Sequence, residues 1–417
     1  MRECKGFALI TAALLVSTSF TPAKADDIES LIKDGELYGE VRYRYENVDQ
    51  EGIAEDASAN TVRTNLGFKT GEYNGLKGAV ELQFVQHLGD EDYNSTTNGQ
   101  TSFPVVADPD VTEVNEFWLA YGIPVGDTEV KVGRQKINLD NQRFVGTVGW
   151  RQNDQTFDGV QVSNSAIENL DILYNYVGNV NRINGNDHAS GDLDSHIHLV
   201  NASYKVADWL KASVYGYWMD FKQSAALSNR TYGVRATGDI PLSDDWTFFY
   251  EAEAAAQEDY ANNTADYDEK YYHIAPGIKG HGITLQAGYE VLGSDGTNSF
   301  RTPLATLHKF NGWADKFLTT PATGLEDTYA MASYKFSGMG NFLDGTNVTA
   351  FYHDFSGDTS GNFGSEFDLS VGKSFKISDD LKPFKNVGVT LKYADYNAED
   401  APYTDTEKFW LQFLVKF

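Results

Sequence analysis

Long apolar runs are missing from this 417-residue chain, and sulfur is scarce: there is one cysteine, Cys4, beside 4 methionines, and prolines number only 10. The apolar stretch from Phe7 to Val16 is too short for a helix across a bilayer, which takes about 18 apolar residues, and no later segment is longer. Any residence in a membrane must therefore be through strands. Because Cys4 lies ahead of that stretch, everything after it lacks a thiol, which excludes disulfides, thiolate metal sites and a cysteine nucleophile. Bases are few as well, 33 against 60 acids, for a formal charge of -27. Such acidity argues against nucleic acid and anionic lipid as partners, since both need basic patches.

The first residues form an export pattern: a charged start (Arg2, Lys5), the short apolar stretch, and Ala23-Lys24-Ala25 as a small-x-small cleavage site. Residues 1-25 are expected to be a signal peptide, and 26-417 a single domain beginning at Asp26. Cleavage removes three bases and one acid, which moves the formal charge from -27 to -29. The acidity fits hydrated outer loops that hold divalent cations loosely, with Asp90-Glu-Asp92 and Asp108-Pro-Asp110 offering oxygens for Ca²⁺. No other cofactor is expected.

What the chain has in quantity is glycine (38), tyrosine (24) and phenylalanine (25), spread over segments that alternate apolar and polar. Period-two alternation between turn clusters predicts strands near 35-48, 61-70, 76-88, 113-122, 128-138, 154-163, 169-179, 195-206 and 209-221. A second nine lie near 229-240, 245-257, 268-279, 282-293, 326-337, 346-355, 363-376, 386-397 and 406-417. Short connections such as Gly71-Glu-Tyr-Asn-Gly75 and Lys279-Gly-His-Gly282 alternate with long ones at 49-60, 89-112, 139-153, 180-194, 258-267 and 294-325. The fold class is all-β, a transmembrane antiparallel β-barrel of about 18 strands, with periplasmic turns and extracellular loops in the outer membrane of a Gram-negative bacterium. A soluble propeller would show a blade repeat, and none is present.

The two faces of each strand separate cleanly. Val41, Tyr43 and Tyr45 share one face, and Glu40, Arg42, Arg44 and Glu46 the other; Val62, Thr64 and Leu66 stand opposite Arg63, Asn65 and Lys69. The apolar set is assigned to lipid and the polar set to a wet lumen. Trp209, Trp218, Trp246, Tyr271 and Tyr272 are assigned to interfacial girdles. A barrel this wide holds a water column unless loops fold in. The stretch from Val132 to Asn153 is the candidate constriction, with a bulge near Gly133 expected to turn Arg134 inward and Arg143 and Arg151 carried on a loop entering the lumen. Other pore-lining bases are Arg42, Arg44, Arg63, Lys69, Arg235 and Lys392, and the acids include Glu40, Glu46, Glu81, Asp158, Glu251, Glu253, Glu290 and Glu366. Opposed charges of this kind orient dipolar solutes and set ion preference. His196 and His198, two apart on one strand, are read as lumen lining and not as a metal site. No catalytic residue is expected, since the histidines are scattered and no Gly-x-Ser-x-Gly motif occurs.

Five stretches carry a resemblance: Arg42-Tyr-Arg-Tyr-Glu-Asn-Val-Asp-Gln50, Val62-Arg-Thr-Asn-Leu-Gly-Phe-Lys-Thr-Gly71, Val105 to Asn115, the Gly133-Arg-Gln run, and Thr302 to Phe317 with its Trp-Ala-Asp-Lys core. The chain resembles the alginate-export family of outer-membrane porins across essentially the whole length after the signal. The resemblance implies a monomeric 18-stranded barrel in contact with lipopolysaccharide and outer-membrane lipid. Exporters of this family pass a polyanionic sugar through a basic pore gated by an outer loop and a long periplasmic turn. Residues 89-112 fit the outer loop, but Ile377 to Lys385 is short, and the lumen acids oppose a polyanion. The expected function is passive diffusion of small hydrophilic solutes or ions. Export of an anionic polysaccharide such as alginate is the alternative, with an outer-membrane enzyme or adhesin behind it.

Overall fold

Backbone polarity dictates the architecture: in hydrocarbon every peptide N–H and C=O must find a partner within the protein, and a sheet achieves this only by closing on itself. The computed structural model describes residues 25–340, 342–378 and 383–417. Apart from Ala25, the expected signal with its Cys4 lies outside the described residues, as does the centre of the 377–385 turn. A helix α1 (Ala25–Lys33) leads into β1 (Glu36–Gln50), β2 (Ala57–Lys69), β3 (Leu76–His87), β4 (Val111–Ile123), β5 (Thr128–Gln135), β6 (Thr156–Ile167), β7 (Leu170–Asn181), β8 (Asp192–Ala207) and β9 (Leu210–Phe221). Then come β10 (Asn229–Pro241), β11 (Trp246–Asp259), β12 (Asp268–Gly280), β13 (Ile283–Leu292), β14 (Leu325–Lys335), β15 (Asn347–Ser356), β16 (Asn362–Lys376), β17 (Asn386–Ala398) and β18 (Thr406–Lys416). Each strand pairs antiparallel with its sequence neighbours, and β18 returns to β1.

All eighteen expected strands are therefore present, in an all-β closed barrel of the outer-membrane type. Several ends shift by two to four residues, and two of the shifts have a clear local reason. β2 begins four residues early, because the small residues Ala57 to Asn60 carry little hydrophobic contrast yet pair fully with β1. β5 stops at Gln135, because Lys136 leaves the sheet to reach Glu81 and Asp154 at 3.1 and 3.0 Å. The short turns are tight: Asn74 and Gly75 hold φ of 49° and 82°, the left-handed pair that a two-residue hairpin turn demands.

The alternation follows the sequence as well. Outward positions such as Leu119, Val132, Val214, Val234 and Ile274 are more than half exposed. Inward Arg42, Arg44, Glu46, Arg63 and Gln83 are buried. Their burial has one cause: the lumen is occupied. The 136–155 and 293–324 loops both enter it, and they bring Ile137, Leu139, Phe144, Val145, Phe300, Leu304 and Phe317 into an apolar core with inward Ile197, Leu199, Tyr217, Tyr271 and Trp410.

Four assignments need correction. His196 and His198 do not line the lumen: they alternate with the inward Ile197 and Leu199 and meet Tyr176 and Tyr174 on the outer face. Tyr271 is not in a girdle but inside, where its hydroxyl donates to Glu290 at 2.7 Å. The β4–β5 register runs through Gly133 without interruption, the breaks lying instead at Glu81/Leu82 and Asp158/Gly159. Gly133 absorbs the twist with φ of 128°, where a Cβ would sit 2.2 Å from the Phe117 carbonyl oxygen. Finally, Asp108 is no exposed Ca²⁺ ligand; it is fully buried, accepting the Gln152 N–H at 2.7 Å.

Val234 stands near the middle of β10 on the lipid face, opposite Val214 and Ala254. Val234→Arg should destabilise the folded barrel by about 2 to 4 kcal/mol, as a charge in mid-membrane does. Urea titration of the protein folded into lipid vesicles reads this directly.

Candidate functional site

The inward bases of β1 and β2 are donors without carboxylates enough to match them, and the 136–155 loop supplies acceptors. Arg42 donates to Gln152 Oε1 and Gly149 O, both at 2.8 Å, and to the Arg151 carbonyl oxygen. Arg44 donates to Trp150 O at 2.6 Å and to Gln412 at 2.8 Å, with its guanidinium 4.0 Å above the Trp150 ring. Arg63 lies between Glu40 and Asp154, 3.2 Å from the latter. Glu81 completes the seat, accepting from Asn115 at 2.7 Å and Lys136 at 3.1 Å. These four expected pore-lining residues thus hold the descending limb of the loop, and little of them faces open water.

The loop's own arginines fasten it from the other side. Arg143 meets Glu290 of β13 at 2.7 Å and Asn311 of the second loop at 3.0 Å. Arg151 reaches Glu46 at 3.1 Å and Asp315 at 3.0 Å. Buried pairs of this sort contribute modestly when intact and cost much when one partner is lost. The two loops also bind each other: Gly146 N–H donates to Leu304 O at 2.8 Å, and Trp150 stacks on His308 with centroids 4.1 Å apart.

The remaining candidates lie elsewhere. Arg134 and Asp158 face each other across β5 and β6 at 2.7 Å, in register with the outward Val132 and Val160, so this pair is matched to itself and is not part of the constriction. Arg235 lies on β10 against Glu251 and Glu253. Lys69 is exposed at the short-turn end of β2, 5.1 Å over the Tyr38 ring. The bases that β1, β2 and β5 carry are accordingly covered in part and neutralised in part.

A cavity of about 620 Å³ remains between the loops and the wall, bounded by Arg42, Trp150, Glu290, Trp313, Tyr329 and Lys392 among others. The Lys392 ammonium lies 3.6 Å from the Trp313 ring centroid and 4.1 Å from that of Trp150, and donates to His308 Nε2 at 2.7 Å. His308 Nδ1–H in turn donates to Asp315 at 2.8 Å, so the ring is neutral with its tautomer fixed from both sides. Sequence reasoning missed Trp150, His308, Lys309, Asn311 and Trp313. Their signal was present: Phe300, Leu304, Leu307, Phe310, Trp313 and Phe317 recur every three or four residues, too apolar for a loop in open water.

Arg143→Ala leaves Glu290 buried with its cation gone and should weaken docking of the 136–155 loop by about 3 to 5 kcal/mol. Amide exchange in that loop would rise while the strands stay protected. The second loop should answer to pH. Burial pushes the His308 imidazole well below its ordinary value, with Lys392 adding to this and Asp315 opposing it. Once undocked, His308 takes a proton below about pH 6.5, so docking is complete above that value and weakens as the solution becomes more acid. Protease cleavage within 293–324 should increase from about pH 8 to about pH 5, and His308→Gln should remove the dependence.

Solved structures share this fold. Pseudomonas aeruginosa OccK3 (OpdO) is 15% identical, with 94% of this chain and 97% of that one covered at a TM-score of 0.70. P. aeruginosa OpdK, solved with vanillate, is 13% identical over 92% and 99% at 0.71, and OccD3 (OpdP) is 15% identical over 93% and 92% at 0.68. No curated protein matches in sequence. The alginate-export family model matches residues 36–292, more than half of the chain, including the strands that bear Arg42, Arg63 and Glu290 and the loop that bears Arg143. By that match the protein belongs to the alginate-export family.

Proposed function

We propose that the protein is an outer-membrane porin through which small hydrophilic solutes and ions diffuse passively. The observation that carries this is a closed barrel whose lumen is narrowed by two docked loops around a cavity of about 620 Å³ lined by charged side chains and aromatic rings together. That volume suits a small solute. One barrel encloses the whole passage, which favours a monomer, and the exposed Asp90 and Asp92 in the 88–110 loop suit loose cation bridging to lipopolysaccharide. Export of an anionic polysaccharide ranks second, because a chain threading this lumen would have to unseat Arg143 and Arg151 from Glu290, Glu46 and Asp315.

Within the solute class, small planar anions are favoured. Arg42, Lys309 and Lys392 bound the cavity without a carboxylate in ion-pair reach among the described residues, and Trp313, Tyr329 and Phe351 offer ring faces. Vanillate, the molecule in the OpdK structure, is a fitting probe. Purified protein in planar bilayers should give discrete steps of conductance. Added vanillate should interrupt them, and Lys392→Gln should shorten those interruptions by about tenfold if loss of the ammonium removes roughly 1.4 kcal/mol of binding. A bilayer that carries no current defeats the porin reading, and alginate oligomers blocking far better than vanillate would move the exporter ahead.

A further inference from the structure

A second cavity, of about 690 Å³, lies toward the short-turn end of the barrel and is bounded by Asp171, Lys205, Lys211 and Asp239 among others. It meets the first one. Glu251 on β11 and Gln286 on β13 bound both spaces. Of the inward residues on β1 and β2, only Arg42 reaches either cavity; Arg44 and Arg63 reach neither. The open route through the lumen is thus displaced to one side, away from the arginines that the sequence puts forward.

At the junction an acid and a base stand on two sides of one loop residue. Asn141 donates its side-chain amide to Glu251 Oε1 at 2.6 Å, and its carbonyl oxygen accepts from Lys309 Nζ at 2.9 Å. Glu251 is fixed from behind by Arg235, and His273 Nδ1 lies 3.5 Å from it. Lys309 is exposed and has no carboxylate in ion-pair reach among the described residues. A carboxylate on the wall facing an ammonium on the loop creates a field across a narrow aqueous passage, which sorts ions by sign and orients dipolar solutes.

We propose that the passage runs along the β11–β14 wall through the point that Glu251 and Gln286 share, and that Glu251 and Lys309 are its specificity-determining charges. This rests on the porin reading above. It assigns the selectivity to residues outside the arginine seat, whose task is to hold the loop.

Two measurements test it. In bilayers with a KCl gradient, Glu251→Gln should lower the cation-to-anion permeability ratio by about tenfold and Lys309→Gln should raise it similarly, because a unit charge roughly 6 Å away in a water-like medium changes the partitioning of each ion by about threefold, in opposite senses. Residues 25–417 contain no cysteine, so single cysteines can also mark the route. A cationic methanethiosulfonate reagent should reduce the current through Gln286→Cys by about half or more while leaving Asn65→Cys, buried beneath the loop, untouched. Heat-shifted gel migration checks that each variant is folded. The proposal falls if the permeability ratio is the same in both charge variants, or if Asn65→Cys is blocked and Gln286→Cys is not. A parent barrel that passes no current sinks the porin reading itself and is seen before any variant is made.

Discussion

The closure of β18 on β1 is the constraint on which everything else depends. An open sheet in hydrocarbon would leave a row of unpaired peptide groups on each edge, at several kcal/mol apiece. Here Phe417 and Gly39 exchange both of their backbone hydrogen bonds at 3.0 Å, and the terminal ring lies where a Gly39 side chain would otherwise stand. Closure fixes the strand count, the strand count fixes a wide lumen, and a wide lumen cannot be filled by wall side chains alone. Something has to enter it, and two loops do.

What the loops bring is unlike the wall they meet. Their apolar residues form a core inside the barrel with Ile197, Leu199, Tyr217 and Tyr271, while their backbone carbonyls face the arginines of β1. A guanidinium satisfied by carbonyl oxygens keeps its charge while giving up its accessibility. Of the β1 arginines only Arg42 still borders the open space beside the loops, which Glu251, Lys309, Lys392, Trp150 and Trp313 bound with it. The narrowing is a packed, ion-paired element, so its width is set by side chains in a fixed seat.

The sequence made the barrel legible to within a few residues at strand ends because one face of every strand must be apolar, which leaves a period-two record in each segment. Arg143 and Arg151 were also legible as bases on a loop able to turn inward, since Gly146 and Gly149 lie beside them in a stretch without strand alternation. Three readings failed for a shared reason. For His196 and His198, polarity was taken to mean lumen, yet near a membrane surface the outer face tolerates histidine beside tyrosine. Arg134 and Asp158 looked like separate wall charges, and only the β5–β6 register reveals that they neutralise each other. Asp108 looked exposed because it sits beside a proline in an acidic loop, while its role is to receive Gln152 and stand 3.7 Å from Arg44.

By itself the sequence determined the class, the strand number, the direction of most faces and the family, because these depend on local alternation and on neighbours in the chain. Only the tertiary structure decided which charges remain open to a solute. Arg42 meets Gly149 across 107 positions and Arg143 meets Asn311 across 168, and no local pattern encodes such a meeting. Loop conformation inside a closed barrel is chosen by the walls around it, so the character of the passage emerges only once all eighteen strands have closed.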